Sequence, residues 1–358
     1  MDFIELQNSV KTPHQQMAID NCICFYRVGS HLYGTNTPNS DEDYEGIFIE
    51  PPNYVLGTEK CDEVTFSSGN GKTRNTKDDK DIKFYSLRKF FNLAGNNNPN
   101  KVETFFIPPE HILYSTPYFK QIVDNYKLFI SQKVKHSFSG YAYAQKKKLL
   151  GKKRRLDELR EFEKILLKGV EEGKKTIGDL DLIDVTSFIH YDITTGKEIN
   201  LGVKTIKGKY DYIRYHQTED NLDTIMVDDK VYNLGMDINL IHEHVKNHID
   251  SYGGRTAQLD EHSFDVKFAA HVFRLIDEGI ELLCSGNITF PCRNRELQLA
   301  IKNGKYSLDQ VLNMMDDQEP FLDEAYTNSI IQYSPKHKEI SLLQQKIMLE
   351  WWKNRGLI

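Results

Sequence analysis

The sequence predicts an α+β fold: a small mixed sheet with helices over the first 115 residues, joined to a mainly helical remainder that carries a β-rich insertion. Three observations lead there. Between residues 22 and 85, short apolar runs of strand length alternate with Gly, Pro and polar stretches. From Tyr118 onward apolar residues recur at helical spacing, most clearly Leu149, Leu156, Leu159, Phe162 and Leu166. Between about 180 and 235 that spacing stops. Tyr and Ile become frequent there, and Thr195-Gly196 and Lys207-Gly208 punctuate short β-like segments.

In chain order, residues 22–28 form an apolar, aromatic strand, followed by Gly29-Ser30 and then Gly34. Residues 44–50, with Ile47, Phe48 and Ile49, form a second strand that Pro51-Pro52 stops. Residues 57–80 are polar and read mostly as a loop, in which Gly69-x-Gly71 is a weak signal on its own. Residues 81–85 are a third strand. Ser86 is a helix N-cap, with Leu87, Phe90, Phe91 and Ala94 on one apolar face, and the Asn-rich turn at 96–100 ends that helix. Helices are expected over about 118–174, 236–250, 261–285 and 338–353. The expected division is a core at 1–115 and a helical domain at 116–358, with the insertion at about 180–235.

Composition narrows the function classes. The 358 residues allow two or three domains at roughly 100–200 residues each. With 39% apolar residues and 19 each of Tyr and Phe, there is ample material for a core. No stretch approaches the roughly 18 apolar residues of a membrane span, and the first residues lack a basic-then-apolar leader pattern. The five cysteines, at 22, 24, 61, 284 and 292, contain no C-x-x-C pair, so neither a disulfide framework nor a zinc ribbon is implied. These features point to a cytoplasmic protein with no membrane partner. A net charge of −6 argues against overall steering toward nucleic acid. Residues 146–155 depart from that balance, with seven positive charges in ten residues.

The chemistry concentrates in Gly29-Ser30-His31-Leu32-Tyr33-Gly34 and Ser40-Asp41-Glu42-Asp43-Tyr44-Glu45-Gly46. Gly29 permits close backbone approach, so that N–H groups and the Ser30 hydroxyl can meet phosphate oxygens. Gly34 lets the connection turn back. Asp41 and Asp43 alternate along an extended segment, which points both carboxylates to one face. Two adjacent carboxylates repel unless a hard dication lies between them. Mg²⁺ takes oxygen ligands, commonly one or two carboxylates plus substrate phosphates. The bland alternative is a pair of solvated turn carboxylates.

A G-S pair followed by D-x-D at the start of a second strand resembles the signature of the DNA polymerase β-like nucleotidyltransferase superfamily. The G-S-x-x-Y-G-T…S-D-x-D-x-x-G core is similar to that of its bacterial and phage branch of predicted nucleotidyltransferases. Asp81-Ile82-Lys83-Phe84-Tyr85-Ser86-Leu87-Arg88-Lys89-Phe90, Asn98-Pro99-Asn100, Glu103 and Lys267-Phe268-Ala269-Ala270-His271-Val272-Phe273-Arg274-Leu275 extend the resemblance. It is strong over residues 22–107 and partial over 260–305. It implies a polymerase β-type sheet and a third metal-binding carboxylate, which Asp81 fits, with Asp78 and Asp79 as fallbacks. By family logic, Asp41 and Asp43 hold a metal on the triphosphate. All three aspartates hold a second ion (Mg²⁺ or Mn²⁺) that activates an acceptor hydroxyl, and Asp81 can take its proton. A nucleoside monophosphate then moves from a nucleoside triphosphate to the acceptor, releasing pyrophosphate. The acceptor expected is an RNA or DNA 3′ end such as that of tRNA. A protein side chain, a small molecule, or a non-catalytic nucleotide-binding or antitoxin-like role are the alternatives.

Secondary candidates follow. Lys267, His271 and Arg274 fall at i, i+4 and i+7 of a predicted helix, a face that can grip phosphates or can be salt-bridged by Asp277 and Glu278. Arg293 and Arg295 are further phosphate candidates. Lys146, Lys147, Lys152 and Lys153, with Tyr141, Tyr143 and Gln145 just before them, are candidate nucleic-acid contacts, or else a solvated helix face. His242, His244 and His248 do not meet H-E-x-x-H, because position 246 is Lys. Glu103 reads as an anchor for the element after the Asn-rich turn.

Overall fold

The computed structural model describes residues 2–38, 40–67, 80–192, 197–253 and 255–358, with the backbone alone at 67, 188–192, 197–201, 255 and 258. The chain divides into two compact units, Met1–Lys146 with Lys267–Ile358, and Lys147–Val266. The expected break near 115 falls inside the first unit, and the β-rich stretch at 180–235 falls inside the second.

The first unit opens with α1 (Phe3–Gln7) and α2 (Pro13–Asp20). Each starts with a capping box, Asp2 with Glu5 and Thr12 with Gln15, so orphan N–H groups are satisfied before the helix begins. There follow β1 (Cys22–Val28), α3 (Gly29–Tyr33), β2 (Glu42–Phe48), α4 (Pro52–Leu56), β3 (Glu63–Ser67), β4 (Lys80–Ser86), α5 (Leu87–Gly95), α6 (Pro99–Val102), β5 (Ile112–Ser115) and α7 (Pro117–Asp124). The sheet order is β3-β4-β2-β1-β5. Only β2 and β4 run parallel; the other pairs are antiparallel.

The period-two alternation of the strands sorts the sheet's faces. Tyr44 and Phe48 of β2 join Phe25, Ile82 and Phe84 in a core covered by Leu6, Ala18 and Ile19 of the two first helices. Phe25 stacks on Tyr44 at 5.4 Å and on Phe84 at 5.7 Å between ring centres. Gly46 sits in this alternation without a side chain because its Cβ would stand 2.3 Å from the Phe84 ring. Asp43 and Glu45 of β2, with Asp81, Lys83 and Tyr85 of β4, border a cavity.

Two expectations change. The polar stretch at 57–80 contains β3, an edge strand whose Val64 and Phe66 are buried. Residues 68–79, with Gly69, Gly71, Asp78 and Asp79, lie outside the described residues, as do Thr195 and Gly196. The helix expected over 118–174 is interrupted: α7 ends at Asp124, and α8 (Val134–Glu171) starts afresh after a 3₁₀ turn at Tyr126–Leu128. The interruption is stable because Asn97 supplies side-chain partners, donating to the Phe129 carbonyl at 2.6 Å and accepting from the Ser131 hydroxyl at 2.8 Å. The Ser86 cap is present, its Oγ accepting from the Lys89 N–H at 3.2 Å.

In the second unit, β6 (Ile183–Asp192) and β7 (Lys197–Ile206) form an antiparallel pair. β8 (Ile213–Gln217), β9 (Asp223–Val227) and β10 (Lys230–Asn233) form an antiparallel sheet, and α9 (Ile238–Asp250) and α10 (Arg255–His262) follow. Leu159, Phe162 and Leu166 of α8 pack with Ile225, Val227 and Ile241, so the helical stripe seen in sequence is core. The first unit resumes in α11 (Val266–Ser285) and adds α12 (Arg295–Lys302), α13 (Leu308–Thr327) and α14 (His337–Asn354). The last helix is tied to the sheet: Trp351 Nε1 donates to Asn21 and Trp352 Nε1 to the Glu50 carbonyl, at 3.2 and 2.8 Å. Among the described residues, no helix is long and apolar enough to cross a membrane.

Candidate active site

Strand register builds the centre of the site. Asp43 stands opposite Asp81 across the parallel β2–β4 pair and opposite Val28 across β1–β2. The residue after Val28 is Gly29, at φ 70°, and a Cβ there would lie 2.4 Å from Asp43 Oδ2. Two independent constraints therefore demand glycine: a left-handed backbone and the absence of any side chain against the carboxylate.

The Asp43 carboxyl is pushed up to about 6, first by burial and then by the negative charges of Asp41 and Asp81, with Lys267 opposing. Asp41 lies just before β2, and its charge also reaches His31 and Lys302. The three predicted aspartates thus share one electrostatic neighbourhood. Among the described residues, no three His, Cys, Asp or Glu side chains are placed so that they could hold a metal ion by themselves. The donors are hard carboxylate oxygens around a repelled, half-buried Asp43. That suits a dication which completes its shell with substrate oxygens.

The cavity beside them encloses about 580 Å³, a volume ordinary for a small-molecule site of roughly 300–1,000 Å³. Gly29, Asp43 and Asp81 line it together with Tyr141, Gln145 and His271. Glu45, two residues beyond Asp43 on the strand, is neutralised by the buried Lys101, whose ammonium lies 3.7 Å from the Tyr85 ring centre.

The Gly-Ser segment is a short helical turn, α3, closed by Gly34 at φ 70°. A Cβ on Gly34 would meet Pro291 at 2.6 Å, and the Cys292 N–H donates to the Tyr33 carbonyl at 3.1 Å. Ser30 Oγ and His31 Nε2 are buried without a hydrogen-bond partner among the described residues. Burial, then Arg27, holds the His31 imidazole below its usual value.

The structure separates the candidate cations. Lys267 acts on Asp43 by its charge, and His271 lines the cavity. Arg274 also lines the cavity, but its charge is already paired. It is buried, pairs with Glu103 and with Glu278 at 3.1 Å, and stands 4.4 Å from the Tyr33 ring centre. The Tyr33 hydroxyl donates to Glu103 at 2.8 Å. One guanidinium cannot compensate two carboxylates, and burial pushes the Glu278 carboxyl well up. Arg274 and Glu103 thus anchor α3 against α11. Arg293 pairs with Glu281 at 2.8 Å.

The basic run is largely compensated in place. Lys146 pairs with Asp316 at 2.7 Å in the first unit. In the second, Lys152 pairs with Asp265 at 2.6 Å and Lys153 with Asp260 at 3.1 Å, and Arg155 pairs with Asp228 at 3.2 Å. Lys147 is exposed on the same helix. Sequence reasoning missed Lys302, which donates to the Thr35 carbonyl at 3.2 Å and to its hydroxyl at 2.8 Å. Burial, with Lys267 and Arg274 nearby, holds its ammonium down to about 8. No local pattern signals this lysine, because its partner is 267 residues away.

Residues 5–161 match the family described as the RNA repair pathway DNA polymerase beta family. The chain is also 25% identical, over 334 residues, to an Enterobacteria phage T4 protein described as an uncharacterized 38.9 kDa protein in the nrdC-mobD intergenic region, covering 90% of this chain and 92% of that one. No solved structure matches. Residues 5–161 of this chain are thus similar to a polymerase β-like family of the nucleotidyltransferase type.

Proposed function

We propose that the protein transfers a nucleoside monophosphate from a nucleoside triphosphate to a hydroxyl at the 3′ end of an RNA. The observation that carries this reading is the Gly29–Asp43–Asp81 arrangement: two carboxylates in register on a parallel strand pair, with a side-chain-free backbone against one of them. The description of the matching family, with its RNA repair pathway, supports RNA over other acceptors. The ion pairs of Lys146, Lys152 and Lys153 weigh against these three side chains as RNA contacts.

Proteins of the polymerase β-like type generally use divalent metals. Here Asp41, Asp43 and Asp81 would hold Mg²⁺ or Mn²⁺, which supplies charge neutralisation of the triphosphate and activation of the acceptor hydroxyl. Ser30 Oγ and the adjacent backbone N–H groups meet phosphate oxygens, which accounts for the buried, unpartnered hydroxyl. Lys267 and His271 add positive charge and a hydrogen-bond donor on the α11 side. A carboxylate oxygen of Asp81 takes the acceptor proton. The acceptor oxygen bonds to the α-phosphorus, and the bond to pyrophosphate breaks. The work is positioning and charge stabilisation. The residue 1–115 segment is the core of this chemistry, extended by α11 and α12.

Incubation with α-labelled nucleoside triphosphates, Mg²⁺ or Mn²⁺, and a pool of tRNA, RNA and DNA oligonucleotides and protein tests the proposal. Label in the RNA fraction is expected. Label confined to protein or small molecules would reassign the acceptor, and no transfer or pyrophosphate release under any condition would remove the enzymatic reading.

A further inference from the structure

The cavity has a second wall, opposite in character to the carboxylates. Tyr141 and Gln145 are four residues apart on α8 and so share a helix face, and both line the cavity together with Asn100. The Asn98 amide donates to the Tyr141 hydroxyl. Two oxygens of this group, Asn98 Oδ1 and Gln145 Oε1, are buried and have no hydrogen-bond partner among the described residues. Buried amide oxygens are nearly always bonded in folded proteins, so the unpaired Gln145 Oε1 on the cavity wall, with Asn98 Oδ1 beside the Tyr141 that lines it, asks for a ligand with donor groups.

The wall is also held in place. The first turns of α8 are fastened to the Asn-rich turn: Lys133 Nζ donates to Asn96 Oδ1 at 2.8 Å and the Ser137 hydroxyl to the Asn96 carbonyl at 3.2 Å. Asn97 is fully buried, bridging Phe129 and Ser131. The run of asparagines thus does more than end α5. It fixes the start of α8, and with it the positions of Tyr141 and Gln145 relative to Asp43 and Asp81.

We infer that Tyr141 and Gln145, with Asn98 holding the Tyr141 hydroxyl, form a nucleobase-reading subsite, an aromatic ring for the face of a base and an amide oxygen for a donor on its edge. An aromatic face accepts any base, whereas amide groups at the edge discriminate among bases. The inference rests on the proposed nucleotidyl transfer for its purpose, not for its test. The base belongs either to the incoming triphosphate or to the terminal nucleotide of the acceptor.

The full chain is titrated with the α,β-methylene analogues of ATP, CTP, GTP and UTP, which bind without transfer. The wild type is compared with Gln145→Leu, Tyr141→Phe and Tyr141→Ala; far-UV circular dichroism checks that each folds. If the base is that of the triphosphate, the wild type ranks the four analogues. Gln145→Leu then compresses the ranking by roughly tenfold, the size of one lost hydrogen bond. Tyr141→Ala weakens all four by roughly tenfold or more, as loss of base stacking does, while Tyr141→Phe retains most of the affinity. If the base is the acceptor's, the analogues bind equally, and the same substitutions instead change binding of RNA oligonucleotides ending in A, C, G or U. Unchanged base ranking and unchanged affinity in both series would overturn the inference. Binding that responds as described, in a protein that transfers nothing, would leave the subsite standing while the proposed reaction fell.

Discussion

Asp43 faces Asp81 directly across the parallel β2–β4 pair of the five-stranded sheet. A one-residue slip of either strand would turn one of these carboxylates into the aromatic core. The register is locked from the core side by Phe84, whose ring occupies the space that a side chain on Gly46 would need.

Gly29→Ala therefore disrupts the site before it disrupts the fold. The new methyl meets Asp43 Oδ2, and the left-handed backbone itself costs about 1–2 kcal/mol for a non-glycine residue. Urea unfolding should show a loss of about that size, and nucleotidyl transfer should fall by at least two orders of magnitude. Full activity in this variant would mean that the Asp43 carboxylate has no fixed place in the reaction.

The Asp43 titration gives a pH signature. Its carboxyl rises from 3.8 to about 6 on folding. The protonated form is the one the fold tolerates, so this contribution to stability is present below about pH 4 and is lost as pH rises through about 6. The metal-free wild type should thus lose stability relative to Asp43→Asn between pH 4 and 7, measured as the difference between their denaturation midpoints. Metal binding needs the carboxylate and competes with its proton, so the metal concentration that half-saturates transfer should rise as pH drops through about 6. Parallel stability curves for the two proteins would contradict the crowding of charge around Asp43.

Arg274 makes a different prediction from the one its helical spacing suggests. Arg274→Met leaves Glu103 and Glu278 buried without their cation, and breaking a buried pair in this way costs about 3–5 kcal/mol. The loss should be read in urea unfolding, and it should appear without any nucleotide present. A variant of wild-type stability with weakened nucleotide binding would restore the phosphate-gripping role.

Lys152→Ala tests the basic run. Its partner Asp265 is buried, and Lys152 keeps only a little solvent, so the expected cost is about 1–3 kcal/mol in the second unit. Because the charge is already compensated, the slope of log affinity for RNA against log salt should hardly change. A drop of about one in that slope, the mark of a lost phosphate contact, would make Lys152 part of an RNA surface.

How far these features could be read from sequence follows from the distance over which each is determined. The D-x-D strand, the preceding glycine and the Ser86 cap are local, and their elements form where the pattern places them. Asp81 needed the family resemblance, since one acidic residue at a strand start has no periodic signal. Edge strand β3 was hidden because Val64 and Phe66 are its only buried apolar residues in a polar stretch. The inward turn of Arg274 was half legible: Glu278 is one helical turn away, but Glu103 is 171 residues distant. The compensation of the basic run rests on Asp260, Asp265 and Asp316, none of which its own sequence announces.

The central claim is that Asp43 and Asp81 together place the transferred phosphoryl group. Transfer from an α-labelled nucleoside triphosphate to RNA should be measured with Mn²⁺ or Mg²⁺ for the wild type, Asp43→Ala, Asp81→Ala and the double variant, each confirmed folded by its unfolding midpoint. Both single variants should lose transfer by at least two orders of magnitude, and the double variant should be no worse than the weaker single one, because the pair acts as a unit. A double variant that still labels RNA at the wild-type rate would contradict the account.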